Sequence, residues 1–382
     1  MIKIREKALE KLEYFCLNHL AKYSSQRNFD HGPENRDNVS ELSQYISHRI
    51  LDEVEVLKAS YKKFPYPVVE KFIQEVLWRT YWKGWLEMRP KVWQDYNKDL
   101  LELKKETKKN YLDAINAQTN VEPFNDWVKE LKEKGYLHNH ARMWFASIWI
   151  FTLNLPWQLG ADFFLKHLLD GDAASNTLSW RWVAGLHSQG KHYLATEWNI
   201  NKFSRKKYKN LKLNETAIAK YETKTYETYP ITFDNISNEQ SLLLVHNLDF
   251  CFPHQHQTQF NYYGVIDFNN VLQKQGYSEN VMNFKKNINS ELKNLIKEKF
   301  NSEIYIDSFE NLQKVIQEKN IKQIILPYLS VGYENDFIHT FKKQVNIAYS
   351  VRDYDRYCWQ FATKGYFKFK EQIPKVLTKF II

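Results

Sequence analysis

Through roughly the first 200 residues, apolar side chains recur every third or fourth position, the spacing of one buried helix face. Leu9, Leu12, Phe15, Cys16 and Leu20 follow it, and so does FIQEVLWRTYWKGW at 72–85. The stretch ARMWFASIWIFTL (141–153) is apolar almost all round and predicts a central buried helix. Pro156 ends that helix, and 157–169 predicts the next. Between 203 and 240 the chain is polar and lysine-rich without a sustained period, which suits a linker or a segment wrapped on the surface. From Ser241 the pattern changes again. Short apolar runs at 242–245, 262–268, 303–306, 321–327 and 345–350 predict strands. Phe284, Ile288, Leu292, Leu295 and Ile296 line one intervening helix; Phe309, Leu312, Val315 and Ile316 line another, with Asp307 or Ser308 as its N-cap. Strands alternating with helices predict a parallel α/β sheet. No GxGxxG or P-loop word occurs in it. The expected order is therefore a helical domain (1–204), a linker (205–240) and an α/β domain (241–382).

Composition sharpens this only at two points. A 382-residue chain with 43% hydrophobic and 26% charged residues is ordinary for a globular protein of two or three domains. Its 16% aromatic content, with 12 Trp, is high enough to suggest a site for flat ligands or exposed bases as well as core. The net charge of +9 favours an acidic partner, nucleic acid phosphate first, although a lysine-rich proteome gives the same balance. Cys16, Cys251 and Cys358 imply neither a disulfide framework nor a cluster site. The charged start MIKIREKALEKLEYF does not read as a secretion signal, and no apolar run reaches 18 residues. A cytoplasmic monomer without membrane association is the expectation.

The candidate chemistry centres on LLDGDAASNTLSWRW at 168–182. A calcium loop starting at Asp170 would need glycine and glutamate where Ser175 and Arg181 stand, so that reading fails. His254, His256 and Cys251 lack a second ligand pair, and His138 and His140 point to different sides of a helix, so no metal site is expected. Five further segments accompany the DGD word in fixed order: YSSQRNF (23–29), VSELSQYI (39–46), QEVLWRTYW (74–82), GYLHNHARM (135–143) and SWRWVAG (179–185). Over residues 8–204 the chain resembles the all-helical FAD-binding domain of the DNA photolyase and cryptochrome family.

That resemblance implies a set of roles. Tyr23, Ser40, Leu42 and Ser43 would hold the FAD pyrophosphate; taken alone, Ser40 and Ser43 read as helix N-caps. Arg142 and Asp170 would form a buried ion pair over the flavin. Asp172 would accept from the ring N3–H or a ribityl hydroxyl, Asn176 would face N5, and Asn139 would lie on the adenine and substrate side. Glu75 would hydrogen-bond a flipped pyrimidine dimer walled by Trp78, Met143 and Trp182. Trp180 and Trp157 match the first two members of an electron-transfer chain; Ile115 stands at the third, with Tyr111 or Trp149 as substitutes. The chain departs from the family's T-S-R-L-S at V-S-E-L-S, where Arg27 or Arg36 would have to supply the cation lost at Glu41. His140 replaces an arginine beside the lesion phosphate, which would make DNA affinity pH-dependent if its pKa stayed near 6.5.

Residues 241–377 resemble a weak copy of the family's Rossmann-like antenna domain, placed after the FAD domain instead of before it. The resemblance implies FAD, active in its reduced form, and light-driven repair of cyclobutane pyrimidine dimers in DNA; it leaves open both the presence and the identity of a second, antenna chromophore. The competing implication is a cryptochrome-like photosensor with a protein partner.

Overall fold

From Ile4 to Phe203 the chain is built of helices joined by turns, with longer loops at 27–42 and 185–196. The computed structural model describes residues 3–106, 108–237, 239–255, 259–342 and 345–382. The helix Tyr66–Glu87 is central to the helical part. Pro67 in its first turn has no N–H to leave unpaired there, and Val69, Phe72, Ile73, Val76 and Leu77 bury one face. In the first helix, Ile4–Asn18, the buried stripe is Ala8, Leu12, Phe15 and Cys16. Leu9, expected on that stripe, lies one residue round the helix and is 40% exposed.

The stretch 141–153 does not form one uninterrupted helix. An α-helix, Asn139–Ser147, passes into a π turn, Ile148–Thr152, closed by Leu153 N–H donating to the Ile148 carbonyl at 2.8 Å. The ladder loosens ahead of Pro156, which has no N–H to continue it. The next helix is Trp157–His167, followed after the DGD turn by Ala173–Ala184.

The second part holds five parallel strands: β1 (Ser241–Val245), β2 (Tyr262–Ile266), β3 (Ile304–Ile306), β4 (Gln323–Pro327) and β5 (Ile347–Ser350), in the order β3-β2-β1-β4-β5. Each lies where an apolar run predicts it, with ends trimmed in β2 to β5 and β1 longer by Ser241. β1 and β4 are buried at every position, which is why they read as continuous apolar runs instead of alternating ones. The sheet still sorts its side chains by parity. Leu243, Val245, Val265 and Ile325 pack with Ile288, Leu292 and Ile296 of the helix Glu279–Phe300 in a core continuous with the helical part. Leu242, Leu244, Ile266, Ile324 and Leu326 build a second core with Leu312 and Ile338. Ser308, not Asp307, caps the helix Phe309–Lys319, accepting from Asn311 N–H.

Residues 205–237 run as irregular chain over both parts. Tyr229 N–H donates to the Met88 carbonyl, Glu222 pairs with Arg181, and Asp234 accepts from Tyr349 N–H at 2.9 Å.

The last three helices, Asp353–Trp359, Tyr366–Lys370 and Ile373–Phe380, do not pack as part of the α/β unit with which their place in the sequence groups them. Their buried Tyr354, Cys358, Tyr366, Phe369, Ile373 and Leu377 join the core of the helical part. Helix Asp353–Trp359 approaches Tyr66–Glu87 so closely that a Cβ on Gly84 would lie 2.6 Å from the Trp359 ring. A buried ion network ties the same junction: Arg49 reaches Asp249 (2.7 Å) and Asp355 (2.8 Å), and Arg352 reaches Asp355 (2.8 Å) and Glu53 (2.9 Å). Burial pushes the Glu53 carboxyl up, but Arg352 and Arg49 outweigh it and hold its pKa at about 2.

Candidate functional site

Three helices of the first part present one stripe each to a common cavity of about 660 Å³. Tyr66–Glu87 supplies Glu75, Trp78, Arg79 and Trp82; Asn139–Ser147 supplies Asn139, Arg142, Met143 and Ala146; Ala173–Ala184 supplies Asn176, Ser179, Trp180 and Val183. Each set has the spacing i, i+3, i+4, i+7, which puts four side chains on one face. Tyr23, Ser40, Leu42 and Ser43 close one end, and the DGD turn and Trp182 also line it. The structure thus brings together every residue singled out above for cofactor or substrate contact. Of the electron-transfer pair it brings only Trp180. Trp157 lies outside, beside a separate cavity, stacked on Tyr96 at 5.6 Å.

The electrostatic centre of the cavity is Asp170. Arg142 grips it in a fork, Nη1 to Oδ1 at 3.1 Å and Nη2 to Oδ2 at 3.0 Å, and Arg79 Nη2 stands 4.0 Å from Oδ2. Burial alone would push this carboxyl up; Arg142 and Arg79 reverse the effect and hold it below its usual 3.8. Asp172 has one protein partner on each carboxylate oxygen, which leaves acceptor capacity for a ligand. Its Oδ1 accepts from Ser175 N–H at 2.9 Å, capping the helix Ala173–Ala184, and Oδ2 pairs with Arg79. Arg79 is therefore a site residue that motif reading missed. The signal was available, since a cation interrupts an aromatic stripe one turn after Glu75. Tyr136 and Ser175 were missed with no such signal.

Asn176 donates one amide N–H to the Ala161 carbonyl at 2.7 Å, which leaves its carbonyl oxygen and its second N–H for a ligand. The Ser175 hydroxyl is buried without a hydrogen-bond partner, an unmet polar group in the cavity wall. Glu75 stands 3.9 Å from Arg27, and its carboxyl is pushed up by burial against the pull of Arg27 and Lys71. Trp78 is stacked on Tyr366 from the C-terminal helices, with centroids 3.4 Å apart, and the Tyr366 hydroxyl donates to the Gln74 carbonyl at 2.8 Å. One face of the predicted substrate wall is thereby covered from behind. Trp180 fits over Gly160, where any Cβ would overlap its ring. It meets Trp149 at 6.1 Å, and Trp149 meets Tyr111 at 6.0 Å.

Three expectations change. Arg36 does not replace the cation lost at Glu41, because it is buried on Asp30 and Glu130; Arg27 does line the cavity. Glu41 itself pairs with Lys11 at 2.8 Å, which offsets its charge. His140 does not keep an ordinary pKa. Its Nδ1 meets the Asn28 carbonyl at 3.0 Å, its Nε2 meets the Tyr193 hydroxyl at 3.2 Å, and burial lowers its pKa, so it is neutral near pH 7. Among the described residues no three His, Cys, Asp or Glu side chains converge as a metal site; His256 lies outside them. No helix of the described residues is long and apolar enough to cross a membrane.

The family comparison covers the three helices that line the cavity but not its end at Tyr23 and Ser40–Ser43. The sequence model described as the FAD binding domain of DNA photolyase matches residues 72–216. A deoxyribodipyrimidine photo-lyase of Buchnera aphidicola subsp. Baizongia pistaciae is 28% identical over 191 residues, 48% of this chain and 39% of that protein. One from Streptomyces griseus is 34% identical over 121 residues, 30% of this chain and 26% of that protein. A bacterial class III photolyase structure from Agrobacterium tumefaciens covers 52% of this chain and 42% of its own, at 24% identity and a TM-score of 0.45. The chain spans less than half the length of these relatives. The cavity suits the cofactor that this domain takes: its volume falls in the ~300–1,000 Å³ range of cofactor pockets, and it offers paired arginines, an unmet hydroxyl and an amide carbonyl. Through residues 72–216 the chain matches the FAD binding domain of DNA photolyase, and its helical part is similar to the photolyase/cryptochrome family.

Proposed function

We propose that the protein is a light-driven repair enzyme for cyclobutane pyrimidine dimers in DNA. The observation that carries this is the single cavity in which Glu75, Trp78, Met143 and Trp182 stand together with the Arg142–Asp170 pair and Asn176. Reduced FAD, when bound, would supply a photoexcited electron to the dimer and take it back after the ring splits. The chain's part is binding, orientation and exclusion of water. Arg142 and Arg79 keep Asp170 ionised and fixed, so its carboxylate accepts hydrogen bonds without moving. The Asn176 amide, with one N–H on the Ala161 carbonyl, keeps its oxygen and second N–H for hydrogen bonding and, being no acid, would not protonate the cofactor. Trp78 and Trp182 would stack on the flipped bases, each contact worth ~1–3 kcal/mol. Glu75, its carboxyl raised by burial, would hydrogen-bond a pyrimidine edge.

One observation favours a second reading, a photosensor. Tyr366 connects the cavity wall at Trp78 to the last helices, giving a flavin-induced change a path to a surface that a protein partner could read. The second part of the chain, with its five parallel strands, is proposed as the family's antenna-like domain in swapped order.

The test is repair of a thymine-dimer oligonucleotide by chemically reduced protein under blue light and in darkness. Light-dependent return of intact thymines, abolished by Glu75→Ala with Trp78→Ala while flavin stays bound, is the expected result. FAD bound without repair would move the function to sensing.

A further inference from the structure

The apolar run that forms β1 leads into His246, Asn247, Leu248 and Asp249, and the run that forms β4 leads from Pro327 into Tyr328. From β1 the sheet grows through β2 to β3, and from β4 it grows to β5 on the other side, so the winding reverses between β1 and β4. An open parallel sheet leaves a crevice at such a point, outside the carboxyl ends of its strands, and ligands of these sheets bind there. Here the crevice is filled by the chain's own helical part. His246 Nε2 spans it, meeting the Pro327 carbonyl at 3.0 Å. After β1, the Phe250 and Cys251 N–H groups donate to the His48 and Arg49 carbonyls, both at 3.1 Å. Arg49 enters with a left-handed φ of 47° and is 2% exposed, its guanidinium on Asp249 at 2.7 Å. After β4, the Tyr328 hydroxyl and Val331 N–H donate to the two oxygens of Glu87, each at 2.7 Å. Glu87 is the last residue of the helix that carries Glu75 and Trp78.

The loop donors that a bound anion would use are thus committed to a carboxylate of the helical part, and the acid that a polar ligand would use is committed to its arginine. Left-handed backbone at a non-glycine residue persists where its surroundings over-determine it, and the Arg49 carbonyl and guanidinium are both tied to the loop after β1. Asn247 is the exception, since both its amide atoms lack a partner. Its side chain is wholly buried, so a ligand reaches those atoms only after Arg49 and Glu87 have left.

We infer that the crevice of the α/β part takes the helical part of its own chain as its occupant, in place of a small ligand, a second chromophore included. The α/β part then braces the helix Tyr66–Glu87, and this crevice adds no absorber to the flavin. The proposal of an antenna-like domain raises the second chromophore; the contacts after β1 and β4 exclude it from this crevice, whichever way the domains are ordered.

The test is amide hydrogen exchange of the full-length, flavin-loaded protein, read on peptides spanning 246–252 and 328–334, alone and with an excess of a methenyl-folate or a deazaflavin. Slow exchange at both peptides before any addition, unchanged by either probe, is the expected result. Arg49→Met is expected to speed exchange at 246–252 roughly a hundred-fold, as loss of one partner of a buried pair implies. Glu87→Ala keeps the Arg49 contacts, and is expected to speed exchange at 328–334 roughly ten-fold while 246–252 stays slow. It supplies the reading if Arg49→Met does not fold. Fast exchange at both peptides in the parent would overturn the proposal, and so would variants that exchange like the parent. Protection that appears only when a probe is added would overturn it too, and would leave the antenna-like reading of this part standing.

Discussion

Replacing Arg142 with methionine tests the electrostatic centre of the cavity directly. In the parent protein Asp170 is almost fully buried and receives two charge-assisted hydrogen bonds from Arg142, at 3.1 and 3.0 Å. Removing one partner of a buried pair typically costs ~3–5 kcal/mol, because the other charge is left without its counter-ion. Arg79 remains, with a nitrogen 4.0 Å from Asp170, so the lower end of that range applies, about 3 kcal/mol. The pH dependence carries more information than the size. In the parent the Asp170 pKa is depressed, so its contribution is fully present above the unfolded-state value near 4 and is lost only as pH falls below it. In the variant burial is opposed only by Arg79 and the Ser43 hydroxyl, and the pKa is expected to move above the unfolded value. Folded protein then binds the extra proton, and stability declines as pH rises through the new pKa. Guanidinium unfolding of flavin-loaded and flavin-free protein at pH 4.5, 6 and 8 measures both effects. Arg142→Lys, which keeps the charge and loses the fork, should fall between parent and methionine variant. A methionine variant within about 1 kcal/mol of the parent, with a parallel pH profile, would refute the reasoning.

Two other positions give sharp expectations. Glu87 accepts from the Tyr328 hydroxyl and from Val331 N–H, both at 2.7 Å, and burial raises its pKa to about 7. Its folded value lies above the unfolded one, so it makes stability fall between pH 4.5 and 7. Glu87→Gln should flatten that part of the denaturation profile, and an unchanged slope would count against the assignment. Trp149→Phe breaks the ring contacts from Trp180 to half-buried Tyr111. Photoreduction of oxidised flavin, followed by absorbance, should slow more in this variant than in Trp157→Phe; the reverse order would return the path to Trp157.

The helices and strands were legible because their signals are local. β1 and β4 declare themselves as continuous apolar runs, and the cavity stripes on Tyr66–Glu87 and Ala173–Ala184 follow helical spacing. What stayed hidden was decided by partners distant in sequence. Nothing near Glu41 announces Lys11, thirty residues earlier, as the charge that offsets it. Nothing in His140 says that Asn28 and Tyr193 hold its ring nitrogens and that burial keeps it neutral. The packing of Tyr366 on Trp78 spans nearly the whole chain and leaves no periodic trace. Trp157 occupies the motif position of the second electron carrier and stacks on Tyr96 beside a separate cavity, a partner sixty-one residues earlier that the motif does not name.

The docking of 353–380 on the first part has a consequence for how the protein is made. A ribosome that has finished Phe203 has delivered every residue lining the flavin cavity, yet Trp78, Gly84 and the rest of that helix face still lack their cover. About 150 more residues must be added before Tyr354 emerges, roughly 8–30 s at ordinary synthesis rates. Through that interval the nascent chain displays an aromatic face that its own last helices will bury. Early flavin capture or a chaperone would shield it, and a stalled ribosome would leave a product prone to aggregation in place of an independent helical domain.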